Sequence, residues 1–163
     1  MRAAQIVEHQ KPLRIGEVPD PVPGPKDVII KVEASGVCRS DWHAWMGDWK
    51  WLGLSPELPI IPGHEMGGVV VEVGKEVKNF RPGDRVTTPF HEACSHCPNC
   101  LSGHSNRCDN LSIIGFKHDG AYAEYVKIPN GDFNLVRLPD EVDSLTAAAI
   151  GCRYMTGYHG VIR

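Results

Sequence analysis

The chain has 163 residues, 42% of them hydrophobic and 23% charged, and its formal net charge at pH 7 is −3. These values fit one globular domain with a real core, and the net charge does not suggest nucleic-acid or membrane electrostatics. No apolar run is long enough to span a bilayer and no signal sequence follows Met1, so the six cysteines indicate metal binding in a reducing cytoplasm rather than a disulfide scaffold.

Short strands separated by turns are predicted along most of the chain. Alternating apolar residues and turn residues place strands at 1–7, 13–18, 28–34, 69–73, 85–88 and 120–128, helical turns at 39–46, and a helix at 143–150 that Asp143 or Ser144 caps. Many strands and few helices predict a mainly β fold with short helices, either an irregular β-barrel or a sandwich. All four tryptophans fall within residues 42–51, so some should line a pocket or an interface.

The segment from Cys94 to Cys108 has the pattern C-x2-C-x2-C-x7-C, with thiols at Cys94, Cys97, Cys100 and Cys108. Thiols this close cannot all form disulfides without severe strain, but four thiolates can surround one tetrahedral zinc ion at about 2.3 Å. The alternatives are two strained disulfides and an iron–sulfur cluster, which also takes four cysteines at short spacings. The nearby histidines His91, His96 and His104 are expected to lie outside the ligand set.

The remaining cysteines, Cys38 and Cys152, suggest a second metal site together with His64. Two cysteines and one histidine form a known catalytic zinc set that leaves a fourth position open. Each residue lies at a break in the chain marked by glycine, where the backbone can approach an ion closely. Each also has a simpler interpretation, because an isolated cysteine often packs as a small hydrophobic residue and His64 could belong to an ordinary turn.

Polar residues near these ligands suggest supporting roles. Asp41 and Glu65 could accept the free ring N–H of His64 or balance the charge of a metal. Ser40 and His43 could carry a proton from an alcohol to water, although they could also be a helix cap and a surface histidine. Arg39 would contact a phosphate if a nucleotide bound nearby.

Four motifs, in the order in which they occur along the chain, resemble those of the zinc-containing alcohol dehydrogenases of the medium-chain dehydrogenase/reductase family. They are Cys38-Arg39-Ser40-Asp41-Trp42-His43, Gly63-His64-Glu65-x2-Gly68-x5-Gly74, the Cys94–Cys108 loop, and Gly151-Cys152-x3-Thr156-Gly157-Tyr158. The resemblance covers nearly the whole chain. It implies a GroES-like irregular β-barrel that acts as a zinc-binding catalytic domain.

The resemblance also implies roles for individual residues. It assigns Cys38, His64 and Cys152 to a catalytic zinc with Glu65 close behind it, and Cys94, Cys97, Cys100 and Cys108 to a structural zinc. Ser40 and His43 match the proton relay, Asp41 the residue behind the zinc ligands, Arg39 a contact of the cofactor pyrophosphate, and Thr156 a neighbour of the nicotinamide. Trp49 and Phe90 match the alcohol pocket, where two bulky rings favour small primary alcohols or form a broad slot for a benzyl-type alcohol. Cys152 as third ligand favours an alcohol dehydrogenase over a polyol dehydrogenase.

One feature of the family has no counterpart in residues 1–163. The glycine-rich turn of a nucleotide-binding (Rossmann) domain is missing, because Gly67-Gly68 precedes a strand rather than a helix. We therefore expect the catalytic domain alone, whether an excised piece, a truncated product or half of a split enzyme, and expect it to be inactive without its cofactor domain.

The expected reaction is the zinc-dependent interconversion of a small alcohol and an aldehyde or ketone, linked to NAD or NADP. The resemblance implies a homo-oligomeric full-length form, a dimer or tetramer, with no nucleic-acid or membrane partner. The alternative from another class is a non-enzymatic, zinc-stabilised module that binds a partner through its tryptophans.

Overall fold

The computed structural model describes residues 1–162 as short strands joined by long loops, with few helices. The mainly β prediction is thereby confirmed. The strands are β1 (Arg2–Gln5), β2 (Arg14–Glu17), β3 (Val28–Ser35), β4 (Met66–Val73), β5 (Arg85–Thr87), β6 (His91–Glu92), β7 (Ser112–Ile113), β8 (Tyr125–Ile128) and β9 (Val136–Arg137). The helices are α1 (Arg39–Met46), α2 (Pro98–Leu101), α3 (Gly131–Asn134) and α4 (Ser144–Ile162), with 3-10 turns at Lys50–Leu52 and Ser105–Arg107.

Five strands form the central sheet in the order β8-β3-β4-β5-β9, and every neighbouring pair is antiparallel. The pairs β1–β2 and β6–β7 form two smaller sheets, the first of which joins the two strands predicted at the start of the chain. Within residues 1–162 the central sheet is open at β8 and β9, so strand pairing does not close the expected barrel. The edge strand β9 has only two residues and offers little backbone for further pairing.

The hydrophobic core lies on the central sheet and is built around the first half of β3. Val28, Ile29 and Ile30 are all at most 3% exposed, so both faces of the strand are covered where it starts. Val32 and Ala34, which the alternating pattern placed on the same face, are only partly buried. Burying one such aliphatic side chain contributes about 1.5–3 kcal/mol. The buried cluster contains Val28, Ile30, Met66, Val70, Val86, Ile114, Ala121, Val126, Ile128 and Leu135.

Two predicted elements differ from those observed. The strand expected at 120–128 pairs in the central sheet only over Tyr125–Ile128, because residues 120–122 bond to the backbone of residues 61–63 instead. The helix expected at 143–150 continues to Ile162 after a non-helical residue at Gly151. Its start is as predicted, since Asp143 Oδ1 accepts the N–H of Thr146 at 2.7 Å. No helix in residues 1–162 has the length and apolar character needed to cross a membrane.

Candidate metal centres

Four cysteine side chains converge where the loop from Cys94 to Cys108 folds back on itself. Their sulfur atoms all lie within 4.8 Å of one another, and the Cys94–Cys100 and Cys97–Cys108 Sγ distances are 4.0 and 3.9 Å. A tetrahedron with metal–sulfur bonds of about 2.3 Å has sulfur–sulfur edges of about 3.8 Å. The sulfurs are much too far apart for disulfide bonds, which are about 2.05 Å long. The donor set therefore fits one tetrahedral ion.

Local structure holds these sulfurs in place. Cys97 caps the short helix α2, so its sulfur accepts the N–H of Cys100 at 3.5 Å. The sulfur of Cys108 accepts the N–H groups of Cys94 and Asn110, each at 3.3 Å. Backbone N–H groups that point at sulfur stabilise the thiolate form, which is the form that binds a metal.

The electrostatics of the four-sulfur group also favour a cation. Backbone N–H groups, that of His96 foremost, lower the pKa of Cys94 to about 6. Burial, together with the neighbouring thiols Cys97 and Cys108, raises the pKa of Cys100 to about 12. Four crowded thiolates repel one another, and a divalent cation removes that repulsion.

The histidines of this region lie outside the sulfur group. His96 is exposed, with Nδ1 2.6 Å from the carbonyl of Cys94, and His104 is exposed beside Ser102 Oγ. His91 is half-buried in β6. The described residues therefore place only sulfur atoms in the four-ligand group.

A second group joins Cys38, His64 and Cys152, whose ligand atoms lie within 4.8 Å of one another. Three separate elements bring them together. Cys38 is the residue before α1, His64 lies in the turn that leads into β4, and Cys152 follows the bend of α4 at Gly151. Two thiols and one imidazole match the preference of zinc for sulfur and nitrogen ligands and leave a fourth coordination position open.

The two ring nitrogens of His64 face different groups. Nε2 lies 3.1 Å from Ser40 Oγ, which also donates to Cys38 Sγ at 3.1 Å. Nδ1 lies 3.2 Å from Asp41 Oδ1, too poorly aligned for a full hydrogen bond. Metal-binding histidines typically have a carboxylate near one ring nitrogen, while the other ring nitrogen points toward the metal and its other ligands. This geometry favours Asp41 over Glu65 as the acceptor for His64.

Burial and neighbouring charges act against each other in this group. Burial opposes the charged form of His64, but Asp41 and Cys38 outweigh it and raise the pKa of His64. Burial likewise opposes the thiolate of Cys38, yet the Ser40 hydroxyl and His64 lower the pKa of Cys38. The pKa of Cys152 is raised to about 11, first by burial and then by Cys38.

Glu65 is 0% exposed, and within residues 1–162 neither of its carboxylate oxygens has a hydrogen-bond partner. Arg153 forms an ion pair with Glu65, with its Nε 3.7 Å from Oε1, but the arginine side chain is 63% exposed. Two glycines make room for the carboxylate, since a Cβ at Gly36 or Gly151 would lie 2.6 Å from a Glu65 atom. Burying a carboxylate that has no hydrogen bond and only an exposed arginine beside it is costly. A cation held by the adjacent Cys38–His64–Cys152 group would offset that cost.

Within residues 1–162 the two predicted relay residues are not hydrogen-bonded to each other. Ser40 lies beside the ligand atoms, whereas His43 stacks on Trp49 at 4.3 Å between ring centroids. His43 Nδ1 lies 2.9 Å from Asp48 Oδ1, a partner that the sequence reasoning missed. The contact fixes the orientation of His43 and leaves its Nε2 free.

Two phenylalanine rings lie close to His64. Phe90 and Phe116 have ring centroids 6.3 and 6.4 Å from His64, and Trp49 lies 6.1 Å from Phe116. The sequence reasoning missed Phe116 as a neighbour of His64, because Phe116 follows the turn at Gly115 and belongs to no periodic pattern.

The residues expected to contact a cofactor are exposed. Thr156 lines a cleft of about 670 Å³ that also contains Phe90 and His159. The guanidinium of Arg39 lies 3.9 Å above the ring of Trp42.

A further residue, Tyr122, supports Asp41 from a distant part of the chain. Its hydroxyl donates to Asp41 Oδ2 at 3.1 Å. Burial, followed by the charge of Asp41, raises the pKa of Tyr122 well above its ordinary value, so the phenol stays protonated as a donor.

Comparison with known proteins identifies the family and the fold of the chain. Residues 24–140 match the profile of the family described as the alcohol dehydrogenase GroES-like domain. An alcohol dehydrogenase of Geobacillus stearothermophilus is 43% identical over 159 residues, which are 97% of this chain and 45% of that protein. The crystal structure of an NAD-dependent alcohol dehydrogenase superimposes with a TM-score of 0.88 at 33% identity, over 99% of this chain and 46% of that one. The structure of a cobalt- and zinc-bound thermostable alcohol dehydrogenase from Pyrobaculum aerophilum superimposes with a TM-score of 0.81 at 34% identity, over 92% of this chain and 44% of that one.

The chain thus spans less than half the length of the relatives that it matches. Both the sequence profile and the superpositions confirm the GroES-like fold that the motifs implied. On these grounds the chain belongs to the alcohol dehydrogenase GroES-like domain family, within the zinc-containing medium-chain alcohol dehydrogenases.

Proposed function

We propose that this chain is the catalytic domain of a zinc-dependent, NAD- or NADP-linked alcohol dehydrogenase with two zinc sites. Cys94, Cys97, Cys100 and Cys108 hold a structural ion, and Cys38, His64 and Cys152 hold a catalytic one. The observation that carries the proposal is the convergence of these three distant ligands in one group. Zinc, when bound, supplies a Lewis acid that lowers the pKa of an alcohol, and NAD or NADP supplies the hydride acceptor.

The residues around the second group move the proton of the alcohol. Ser40 Oγ lies beside the ligand atoms, where it accepts the proton of a substrate hydroxyl and gives up its own. His43 receives that proton at Nε2 once its side chain and that of Ser40 are brought into reach. Asp48 accepts from Nδ1–H and keeps Nε2 available for the transfer.

The aromatic rings position the substrate and exclude water. Trp49, Phe90 and Phe116 narrow the space beside His64, so we expect small primary alcohols to fit better than long or branched ones. Arg39 and Thr156 are both exposed, and Thr156 shares a cleft with Phe90. The family resemblance suggests that they would contact the pyrophosphate and the nicotinamide, respectively. We place the protein in the cytoplasm, as a dimer or tetramer in its full-length form.

Metal analysis tests the proposal directly. The purified chain is expected to bind two zinc ions, and Cys38→Ala is expected to bind one, because it removes a ligand of the three-residue group alone. The control is Val37→Ala, which changes a neighbour that is 75% exposed and should retain both ions. A single ion in the wild-type chain, unaffected by Cys38→Ala, would instead support a zinc-stabilised binding module.

A further inference from the structure

The turn that carries His64 is held by the backbone of residues 120–122. Gly120 N–H donates to the carbonyl of Ile61 at 2.7 Å, and Ala121 N–H to that of Gly63 at 2.9 Å. Tyr122 N–H donates to the carbonyl of Pro62 at 3.0 Å. Three consecutive donors therefore meet three consecutive acceptors, and this brace fixes the backbone directly before His64.

The ring of Tyr122 packs against the same turn. Gly63 has φ of +98°, and a Cβ at this position would lie 2.5 Å from Tyr122 Cδ1. Glycine is required here both for the left-handed backbone and for the space that the ring occupies. The ring is thus fitted closely to the residue that precedes the ligand.

The hydroxyl of Tyr122 extends this support to a carboxylate that links two ligand segments. Asp41 is 5% exposed and accepts the N–H of Cys38 at 2.9 Å through Oδ2 and that of Gly63 at 3.1 Å through Oδ1. Tyr122 Oη lies 3.1 Å from Oδ2, with the carbonyl of Gly36 as a second acceptor at 3.3 Å. One buried carboxylate thus links Cys38 to the turn before His64 by hydrogen bonds and faces the imidazole at 3.2 Å.

We propose that Tyr122 is a positioning residue for the catalytic zinc, acting through Asp41 on Cys38 and His64. The inference rests on the proposed function, since it requires the Cys38–His64–Cys152 group to bind the ion. Without the phenol O–H, Asp41 loses one of the donors that fix its rotation, so the carboxylate that anchors both ligand segments is held less firmly. Groups that hold metal ligands from behind typically change metal affinity 10- to 100-fold when removed.

The test measures zinc affinity at each of the two sites. A chelator of known affinity competes for zinc with the wild-type chain, Tyr122→Phe and the matched control Tyr125→Phe, which removes a phenol oxygen from β8. Tyr122→Phe is expected to weaken zinc binding at the Cys38–His64–Cys152 site 10- to 100-fold and to leave the zinc affinity of the four-cysteine site unchanged. Tyr125→Phe should match the wild type at both sites. Cobalt(II) substitution adds a second readout, because a displaced ligand shifts the visible absorption of the ion.

A double-mutant cycle with Asp41→Asn identifies the route of the effect. If Tyr122 acts through Asp41, the added change Tyr122→Phe should have little effect on zinc affinity in the Asp41→Asn background. Equal fold-changes in the two backgrounds would contradict the proposal. So would a Tyr122→Phe chain that melts earlier than the control yet keeps wild-type affinity and cobalt spectrum, because Tyr122 would then be purely structural. A wild-type chain with one zinc site would overturn the proposed function as well.

Discussion

Loss of a ligand from the four-cysteine group should unfold its loop, whereas loss of Cys38 should not unfold the domain. The loop has almost no apolar core of its own, since its buried cluster consists of Ala93, Cys97, Cys100 and Cys108 with Cys94 packed against it. Four of these five residues are the ligands themselves. We therefore expect Cys97→Ser to lower the melting temperature more than Cys38→Ser does.

The magnitude follows from the length of the loop. Cys94 to Cys108 is about 15 residues, and ordering each backbone costs at least about 1 kcal/mol, so roughly 15 kcal/mol must be offset. Zinc binding to a structural site supplies about 10–16 kcal/mol at pH 7. Short elements such as α2 add little, so the metal accounts for most of the order in the loop. Without it the loop should be disordered while the central sheet keeps its separate core.

Hydrogen exchange locates the effect. In Cys97→Ser, amides of residues 94–110 are expected to lose protection while those of β3 and β4 keep it. Cys38→Ser serves as the control, because Cys38 is anchored between β3 and α1 and should keep protected amides in the loop. Equal melting temperatures for the two variants, or a protected loop in Cys97→Ser, would refute the metal-dependent folding of this segment.

Three further predictions concern charge, pocket size and the role of the cofactor domain. Burial opposes the ionised form of Asp84, but Arg137 and the N–H of Arg81 outweigh it and lower the pKa of Asp84. Asp84→Asn should therefore lower the free energy of unfolding by about 1 kcal/mol above about pH 4, a small value because solvent screens Arg137, which is 53% exposed. In urea titrations the difference in stability from the wild type should vanish as the pH falls through the lowered pKa of Asp84. In the full-length enzyme, Phe116→Ala should raise kcat/KM for longer alcohols about 10-fold or more relative to ethanol, and an unchanged ratio would exclude Phe116 from the pocket wall. The 163-residue chain alone should bind zinc but show no oxidation of ethanol with NAD, and measurable turnover without a second polypeptide would contradict this.

The sequence predicted those features that depend on local spacing. The four-cysteine group follows from thiols three residues apart in one loop, and β3 follows from its run of aliphatic residues. The group of Cys38, His64 and Cys152 was accessible only because each ligand carries a recognisable motif. The position of these three in one site depends on tertiary structure that the spacing does not encode.

The features that the sequence reasoning missed depend on contacts between distant residues. Tyr122 reaches Asp41 across 81 positions, and no periodic pattern marks such a pair. The alternating residues at 120–128 suggested one strand, yet the N–H groups of residues 120–122 donate to the carbonyls of residues 61–63 instead of to a strand of the central sheet. Gly151 suggested the end of a helix, whereas the chain bends there over Glu65 and resumes the helix.

The bend at Gly151 connects the fold to the chemistry. Glycine is needed at this position because atoms of Glu65 occupy the space that a Cβ would take. The bend places Cys152 in the first turn of the second half of α4. The residues that follow are mostly exposed, with Tyr154, Tyr158 and Val161 at 63%, 58% and 86%. The third ligand thus lies between the buried Glu65 and a helix with large exposed apolar side chains, whereas Asp41 holds the backbone of Cys38 and of Gly63, the residue before His64. Geometry at Cys152 is therefore the part of the metal site that depends most on whatever packs against the second half of α4.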